Sequence, residues 1–464
     1  MLLLNKSHCS ICLLRAVYCA AYLWAGYAAA AGAPPGDFAS SPQQEYWAQV
    51  DQEDWSAAIR AAQTLVANAR LDGAEQPLPL AEALSLLGRA QLRNADIAGA
   101  EASFAEALQI VERHQGNASS HTLGPLRGLG FSLAASGRHG EAIPYLDRAL
   151  LISHRTHGLF HGEQLSILRQ LSTSLTSNGE PLEAERHVNY MLRVGEHVYG
   201  KKDPDIVSLK CSVGDWHAQT GNFDFARRQY REAIDIVEKK LGKRDVTLVK
   251  PLRRLAWSYV YEFAFEANGY VDPRDDSPPT MQRRPRNPRY LETDGQRALQ
   301  RALSVLEANP DAPAQLLVDT LIDSGDWFQV KHDADKALLH YRKAAQLLMA
   351  SGSDTAEATQ NPLAFPVRVY SPVPSVIVRS NRLAPRQSQE AYVQMELTVT
   401  AEGLVVEAKI VDESSSARQA SEILSAIRDA RFRPRFVDGE PVETTAMSFR
   451  EVFRVRKRAE EEPS

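Results

Sequence analysis

The chain has 464 residues, 44% hydrophobic and 24% charged, which is material for two or three cored domains and excludes a wholly disordered protein. A formal net charge of -5 excludes the clustered excess of Lys and Arg by which proteins neutralise nucleic-acid phosphates. Of the 4 cysteines only Cys211 lies beyond the N-terminal region that holds Cys9, Cys12 and Cys19, so the body has no intramolecular disulfide to rely on and must be held by packing.

Met1–Ala31 carries Lys6 and Arg15, then an uncharged run from Ala16 to Ala31 that ends in four alanines before Gly32-Ala33-Pro34-Pro35. A basic start, an apolar stretch and small residues at the end form the pattern of a secretory signal peptide, with cleavage expected near Ala30 or Ala31. The competing reading is an uncleaved anchor, for which a run of about 16 residues is short of the roughly 20 that span a bilayer. Cleavage removes Lys6 and Arg15 and no acid, taking the charge from -5 to -7. Residues 32–42 read as a flexible segment.

Residues 43–350 are organised by self-similarity. Ala58, Ala100, Ala142, Ala184 and Ala226 recur at a spacing of 42, and Phe104, Leu146, Val188 and Tyr230 follow four residues after the last four of them. Gly88, Gly130, Ser172 and Gly214 keep the same spacing ahead of the alanines, each preceded by Leu or Val, and Ala107, Ala149, Met191 and Ala233 complete the unit. Small residues let two antiparallel helices approach closely, and the large ones fill the space between successive pairs. Gly116, Gly158, Gly200 and Gly242 mark the end of each second helix. The pattern resembles the tetratricopeptide repeat in its long, 42-residue, kinesin-light-chain-like form. Asp203-Pro204 matches that family's G-x-x-H-P turn, with His161 and Asp245 at the position of Asp203.

That equivalence gives His161 a turn role, and Gly158 interrupts the helical spacing of His154, His157 and His161, so no metal is expected there. Further on, Leu252, Leu255 and Tyr259 begin a unit whose second helix, at Ala298, Ala302 and Val305, comes about thirty residues late. The Pro- and Arg-rich stretch at about 268–290 reads as an exposed insertion, either a solvated loop or a basic patch for an acidic partner or membrane surface. A last unit holds Leu321, Gly325, Ala337, Tyr341 and Ala344, and residues 351–364 read as a linker.

Projecting the repeat places Arg127, Arg169, Cys211 and Arg253 at one position of successive first helices, with Ser85 before them and Arg89 one turn on. In the resembled family such positions contact bound peptides. Arg89, Arg127, Arg169 and Arg253 are therefore candidates for a groove that binds an acidic segment or a free C-terminus; the alternative is pairing with acids of neighbouring helices.

From Tyr392 the period switches to two: Val393, Met395, Leu397 and Val399 alternate with polar residues as a half-buried strand, Thr400-Ala-Glu-Gly403 turns the chain, and Leu404–Val411 returns. Ser414-Ser415-Ser416 offers capping hydroxyls for a helix over Glu422–Arg431, with Ile423, Ile427 and Ala430 on one face. After Phe432, Pro434 and the turn Asp438–Pro441, a third strand runs from Thr444 to Val455. Asn361 onward holds fifteen basic and fifteen acidic residues, so Arg428–Pro434 reads as a helix-to-strand hinge rather than a phosphate-binding patch.

Tyr392-Val393, Thr400–Val405, Ser414-Ser415, Arg431-Phe432-Arg433-Pro434, Gly439 and Pro441-Val442 resemble the C-terminal domain of TonB energy transducers, over roughly 365–458, with residues 459–464 a disordered tail. Ala391 stands where the family has Gly, and its Tyr-Pro entry is altered to Tyr370–Pro374. The family's last strand accepts a short receptor peptide as an added strand. The resemblance thus makes Thr444, Thr445, Ala446, Met447, Ser448, Phe449, Arg450, Glu451, Val452 and Phe453 the candidate peptide-binding edge; alternatively Phe365–Ser375 or a second copy covers it.

The expected fold is mainly α, a tetratricopeptide helix-pair solenoid plus a small α+β domain of three antiparallel strands and one helix. The expected function is a periplasmic protein–protein interaction adaptor of a Gram-negative bacterium; the alternative is a membrane-anchored TonB-type energy transducer for outer-membrane receptor transport. The chain lacks the long Pro-rich spacer of such transducers. Expected partners are proteins or peptides, outer-membrane receptor segments among them, with membrane contact only if the N-terminal segment is retained; the oligomeric state stays open. No G-x-S-x-G, P-loop, H-E-x-x-H or dinucleotide fingerprint is present, so neither catalysis nor a cofactor is expected.

Overall fold

The computed structural model describes residues 41–71, 77–267, 288–350, 361–372, 374 and 388–456. The N-terminal segment up to residue 40, the insertion from 268 to 287, and residues 351–360 and 457–464 lie outside the described residues. No described helix is long and apolar enough to cross a membrane. The chain falls into two compact units that divide between Leu209 and Lys210.

The first unit is four helix pairs: α1 (Pro42–Asp51) with α2 (Trp55–Leu71), α3 (Pro77–Arg93) with α4 (Ile97–Gln115), α5 (Leu123–Ala135) with α6 (His139–His157), and α7 (Gln164–Ser177) with α8 (Pro181–Val198). The second holds α9 (Val207–Gln219), apart from its first three residues, with α10 (Phe223–Lys240), α11 (Val249–Ala267) with α12 (Pro288–Glu307), and α13 (Ala314–Val330) with α14 (Ala334–Ala350). The five alanines at 42-residue spacing are all fully buried. Each repeat glycine faces the large residue sixteen positions on. A Cβ on Gly88 would stand 3.0 Å from the Phe104 ring, one on Gly130 2.5 Å from Leu146, one on Gly214 2.5 Å from Tyr230 and one on Gly325 2.2 Å from Tyr341. The turn reading holds as well: Asp203 and Asp245 each accept the backbone N–H two residues on at 2.9 Å, and His161 does the same through Nδ1, from Glu163 N–H at 3.4 Å.

The tail contains β1 (Val367–Tyr370), β2 (Ser388–Val399), β3 (Val405–Glu413), α15 (Ala417–Arg428), β4 (Arg431–Arg433), β5 (Arg435–Val437), β6 (Glu440–Val442) and β7 (Thr444–Arg456). The main sheet has the order β3-β2-β7, all antiparallel. Val393, Met395, Leu397 and Val399 are buried in its core with Ile423, Ile427, Phe432 and Phe453, which bears out the period-two reading. Two boundaries differ from expectation. The helix begins at Ala417 because Ser416 and Gln419 form a capping box, and it ends at Arg428 because Arg431 already pairs as a strand with Tyr370. Within Phe365–Ser375, β1 pairs with β4 and not with β7.

The tail is seated on the last helix pair. Arg433 holds Asp326 of α13 through Nε (2.9 Å) and Nη2 (2.6 Å), both side chains being buried, and Tyr341 of α14 donates to the same carboxylate at 2.8 Å. Gln329 donates to the Glu402 carbonyl at 2.8 Å, and the Phe436 N–H donates to the Leu363 carbonyl at 2.9 Å. Leu363, within the stretch read as a linker, is 1% exposed and shares a core with Phe436, Tyr341 and Leu348. Two helix pairs earlier the same constellation exists without the tail: Tyr230 of α10 donates to Asp215 of α9 at 2.8 Å, and Asp215 pairs with Arg254 of α11, the first helix of the next pair, at 3.3 Å. Arg433 thus does for Asp326 what the next repeat's arginine does for Asp215, and the tail closes the end of the helix array. The hinge reading of Arg428–Pro434 is refined accordingly, since β4 carries the residue that anchors the domain.

Candidate protein-interaction site

The groove arginines are not equivalent in the structure. Arg127 donates to Glu163 at 3.0 Å, and Arg253 donates to Asp323 at 2.7 Å with Asp319 at 3.6 Å. The guanidinium of Arg89 lies 5.3 Å from the centre of the Trp47 ring. Cys211, in the same row, is fully buried, and burial pushes its thiol up to about 12. Arg169 stands apart. Among the described residues it makes no ion pair, its Nε is buried without a hydrogen-bond partner, and desolvation lowers its pKa. Internal pairing therefore accounts for Arg127 and Arg253 and, among the described residues, not for Arg169.

The three histidines also separate. His154 Nε2 lies 3.0 Å from the Tyr190 hydroxyl, whereas His157 and His161 stack with ring centroids 4.4 Å apart beside Glu163.

In the tail, the ten residues read as the edge strand all lie on β7, an outer strand of the main sheet. Among the described residues, β2 is the strand paired with β7, and its other side faces none. The ladder from Met447 to Arg456 pairs with Ser388–Leu397 without a break, about 33 Å of straight edge at the usual rise. At its start the register shifts between Leu397 and Val399, and Ala446 takes φ 53° as the extra residue. Met447, Phe449, Glu451 and Phe453 face inward. Phe453 is 1% exposed, and Glu451 binds Arg368 of β1 at 2.7 Å. The other face carries Ser448, which accepts from Gln394 at 2.7 Å, Arg450, whose guanidinium lies 3.6 Å from the centre of the Tyr392 ring, and Val452, 43% exposed.

The opposite outer strand, β3, is blunted. Register shifts at Gln394/Met395 and Thr398/Val399 leave Val411 and Val406 as extra residues, and Arg428 Nη2 reaches the Ala408 carbonyl at 3.4 Å. Pattern reading passed over Asp326 and Gln329, which hold β4 and the β2–β3 turn, and Arg368, which braces β7. The repeated Gly-Asp pair, Gly214-Asp215 and Gly325-Asp326, was the available signal for the first of them.

Residues 122–189 match the tetratricopeptide repeat family, and residues 382–455 match the Gram-negative bacterial TonB protein C-terminal domain. No curated protein matches the chain. Among solved structures, the chain is similar to the nearly identical TPR-like repeats of a kinesin light chain from Podosopora anserina, with 15% identity, 51% of this chain and 99% of that one covered, and a TM-score of 0.41. It is similar to BtubC from P. vanneervenii at 16% identity, with 59% and 94% covered and a TM-score of 0.39. Apo RapI is matched at 14% identity, with 66% and 96% covered and a TM-score of 0.40. The chain thus joins tetratricopeptide repeats to a TonB-type C-terminal domain, two modules that support a protein-interaction adaptor.

Proposed function

We propose that the protein is a periplasmic adaptor whose β7 edge takes up an extended peptide of a partner protein as an added strand, while the helix array docks a second protein. The observation that carries this reading is the contrast at the main sheet: from Met447 on, β7 offers an unbroken ladder with nothing paired to its outer side among the described residues, and β3 does not. Outward N–H and C=O groups of such an edge are satisfied by an extended chain, and alternate side chains then set specificity. Ser448, Arg450 and Val452 would flank that chain on the solvent face. The role is binding without bond chemistry, and segments of outer-membrane receptors fit it as peptide donors.

A photoreactive residue at Ser448 tests the edge. Crosslinks from Ser448 to a peptide segment of another protein support it, and crosslinks formed only within the chain, or only to a second copy, overturn it. The compartment is tested by N-terminal sequencing of the mature protein. A start near Gly32 in the periplasmic fraction supports the adaptor, and an intact Met1 in the membrane fraction replaces it with the anchored transducer.

A further inference from the structure

We propose that His157, His161 and Glu163, at the junction of α6 and α7, form a zinc-type metal site, an assignment independent of the edge-strand reading. The donor atoms of the three side chains all lie within 4.8 Å of one another, and His157 Nδ1 is 3.7 Å from Glu163 Oε2. Two imidazoles and one carboxylate are a ligand set that suits Zn²⁺ and leaves a fourth, open position for water or a partner's ligand. Tetrahedral ligands at about 2.1 Å from the metal sit roughly 3.4 Å apart, so the donors must close by at most about 1.4 Å. The exposed rings of His157 and His161 turn without disturbing the core.

Two details prepare the site. The Glu163 N–H points at His161 Nδ1 from 3.4 Å, which selects the tautomer with its lone pair on Nδ1 and its proton on Nε2. A metal taking that lone pair displaces one long hydrogen bond and moves no proton. Arg127 Nη1 holds Glu163 Oε1 at 3.0 Å and leaves Oε2 turned toward His157. Metal-binding carboxylates commonly have such an outer partner, which fixes their orientation. The other repeats lack the set: at the position of His157 stand Gln115, Tyr199 and Leu241. His154 stays outside it, engaged with Tyr190.

The test uses the purified, tag-free, chelator-treated full chain titrated with Zn²⁺ by calorimetry, and with Co²⁺ by visible absorption. The expected result is one zinc bound per chain at micromolar affinity, intense Co²⁺ bands of a four-coordinate site, and affinity lowered about tenfold or more by His157→Ala, His161→Ala or Glu163→Gln. His154→Ala leaves binding unchanged, and Arg127→Gln weakens it less than loss of a ligand does. The proposal is overturned if the wild-type chain binds no stoichiometric zinc, or if His157→Ala and His161→Ala bind it as the wild type does. Unchanged circular dichroism identifies folded variants, and the wild-type Co²⁺ spectrum decides the matter without any variant.

Discussion

The two outer strands of the main sheet, β3 and β7, flank the same central strand and present opposite solutions to an exposed ladder. β3 is interrupted twice, exposes Val406 and Val411 at about 60% where its register shifts, and has the Ala408 carbonyl covered by Arg428. β7 has one irregularity, confined to its first residues, and then runs straight for ten paired positions. An edge becomes an acceptor when bulges and side-chain caps are missing from it, and a place at the margin of the sheet is not sufficient. Arg368 adds to the difference: its ion pair with Glu451 and its stacking on Phe449 brace the inner face of β7 and leave the backbone edge untouched.

The comparison breaks most strongly at the seat of the domain. Arg433→Ala leaves Asp326 buried without its cation, and urea unfolding is expected to show a loss of about 3–5 kcal/mol, with much of it recovered when Asp326 is also replaced by an apolar residue. An effect near zero would mean that the tail does not depend on this contact. Ala446→Gly acts in the opposite direction. Ala446 is exposed and held at φ 53°, a conformation that disfavours a Cβ, so stability should rise by about 1 kcal/mol in the same assay. A drop would show that the bulge at the start of β7 is not held as described.

A third effect is read as a pH slope. Burial lowers the pKa of His340 on α14, and burial followed by the nearby Arg431 charge lowers that of His332 beside Tyr370. A histidine whose folded pKa lies below its unfolded value of about 6.5 contributes stability that is present above that value and lost as pH falls through it. Unfolding stability should therefore decline from neutral pH to mildly acid pH, and His340→Gln should flatten the decline. The smallest effect is expected at the β3 edge, where Arg428→Ala should change stability by only about 0.5 kcal/mol, since a single long hydrogen bond from an exposed arginine is lost.

Local periodicity made the repeats and the central strand legible. Gly88, Gly130 and Gly214 meet the rings and methyls sixteen residues on because helix pairing imposes that offset, and Val393–Val399 alternate because one face of β2 is buried. The third strand, expected over Thr444–Val455 and found over Thr444–Arg456, was legible from the turn before it, whereas the naming of ten of its residues as a peptide-binding edge came only from the resemblance to the TonB C-terminal domain. The capping box at Ser416 and Gln419 was visible in the sequence and would have set the helix start. The pairing of Arg433 with Asp326 joins residues 107 apart, and β1 pairs with β4 across a separation of about sixty residues through three- and four-residue strands. Neither leaves a period to read. The internal pairing of Arg127 and Arg253, against Arg169, which makes no ion pair among the described residues, also depends on acids placed by the fold and not by the repeat. Asp205 sits where Glu163 does one repeat earlier, yet no ion pair joins it to Arg169.

Amide hydrogen exchange of the unliganded full chain, resolved residue by residue along β2 and β7, tests the open edge most directly. Amides of β2 between Val393 and Leu397, paired on both sides, should be uniformly protected, while β7 from Met447 to Phe453 should alternate, every second amide exchanging fast because it points away from β2. Uniform protection along β7 would contradict the account, because a strand of this chain or of a second copy would then already occupy the edge assigned to the partner.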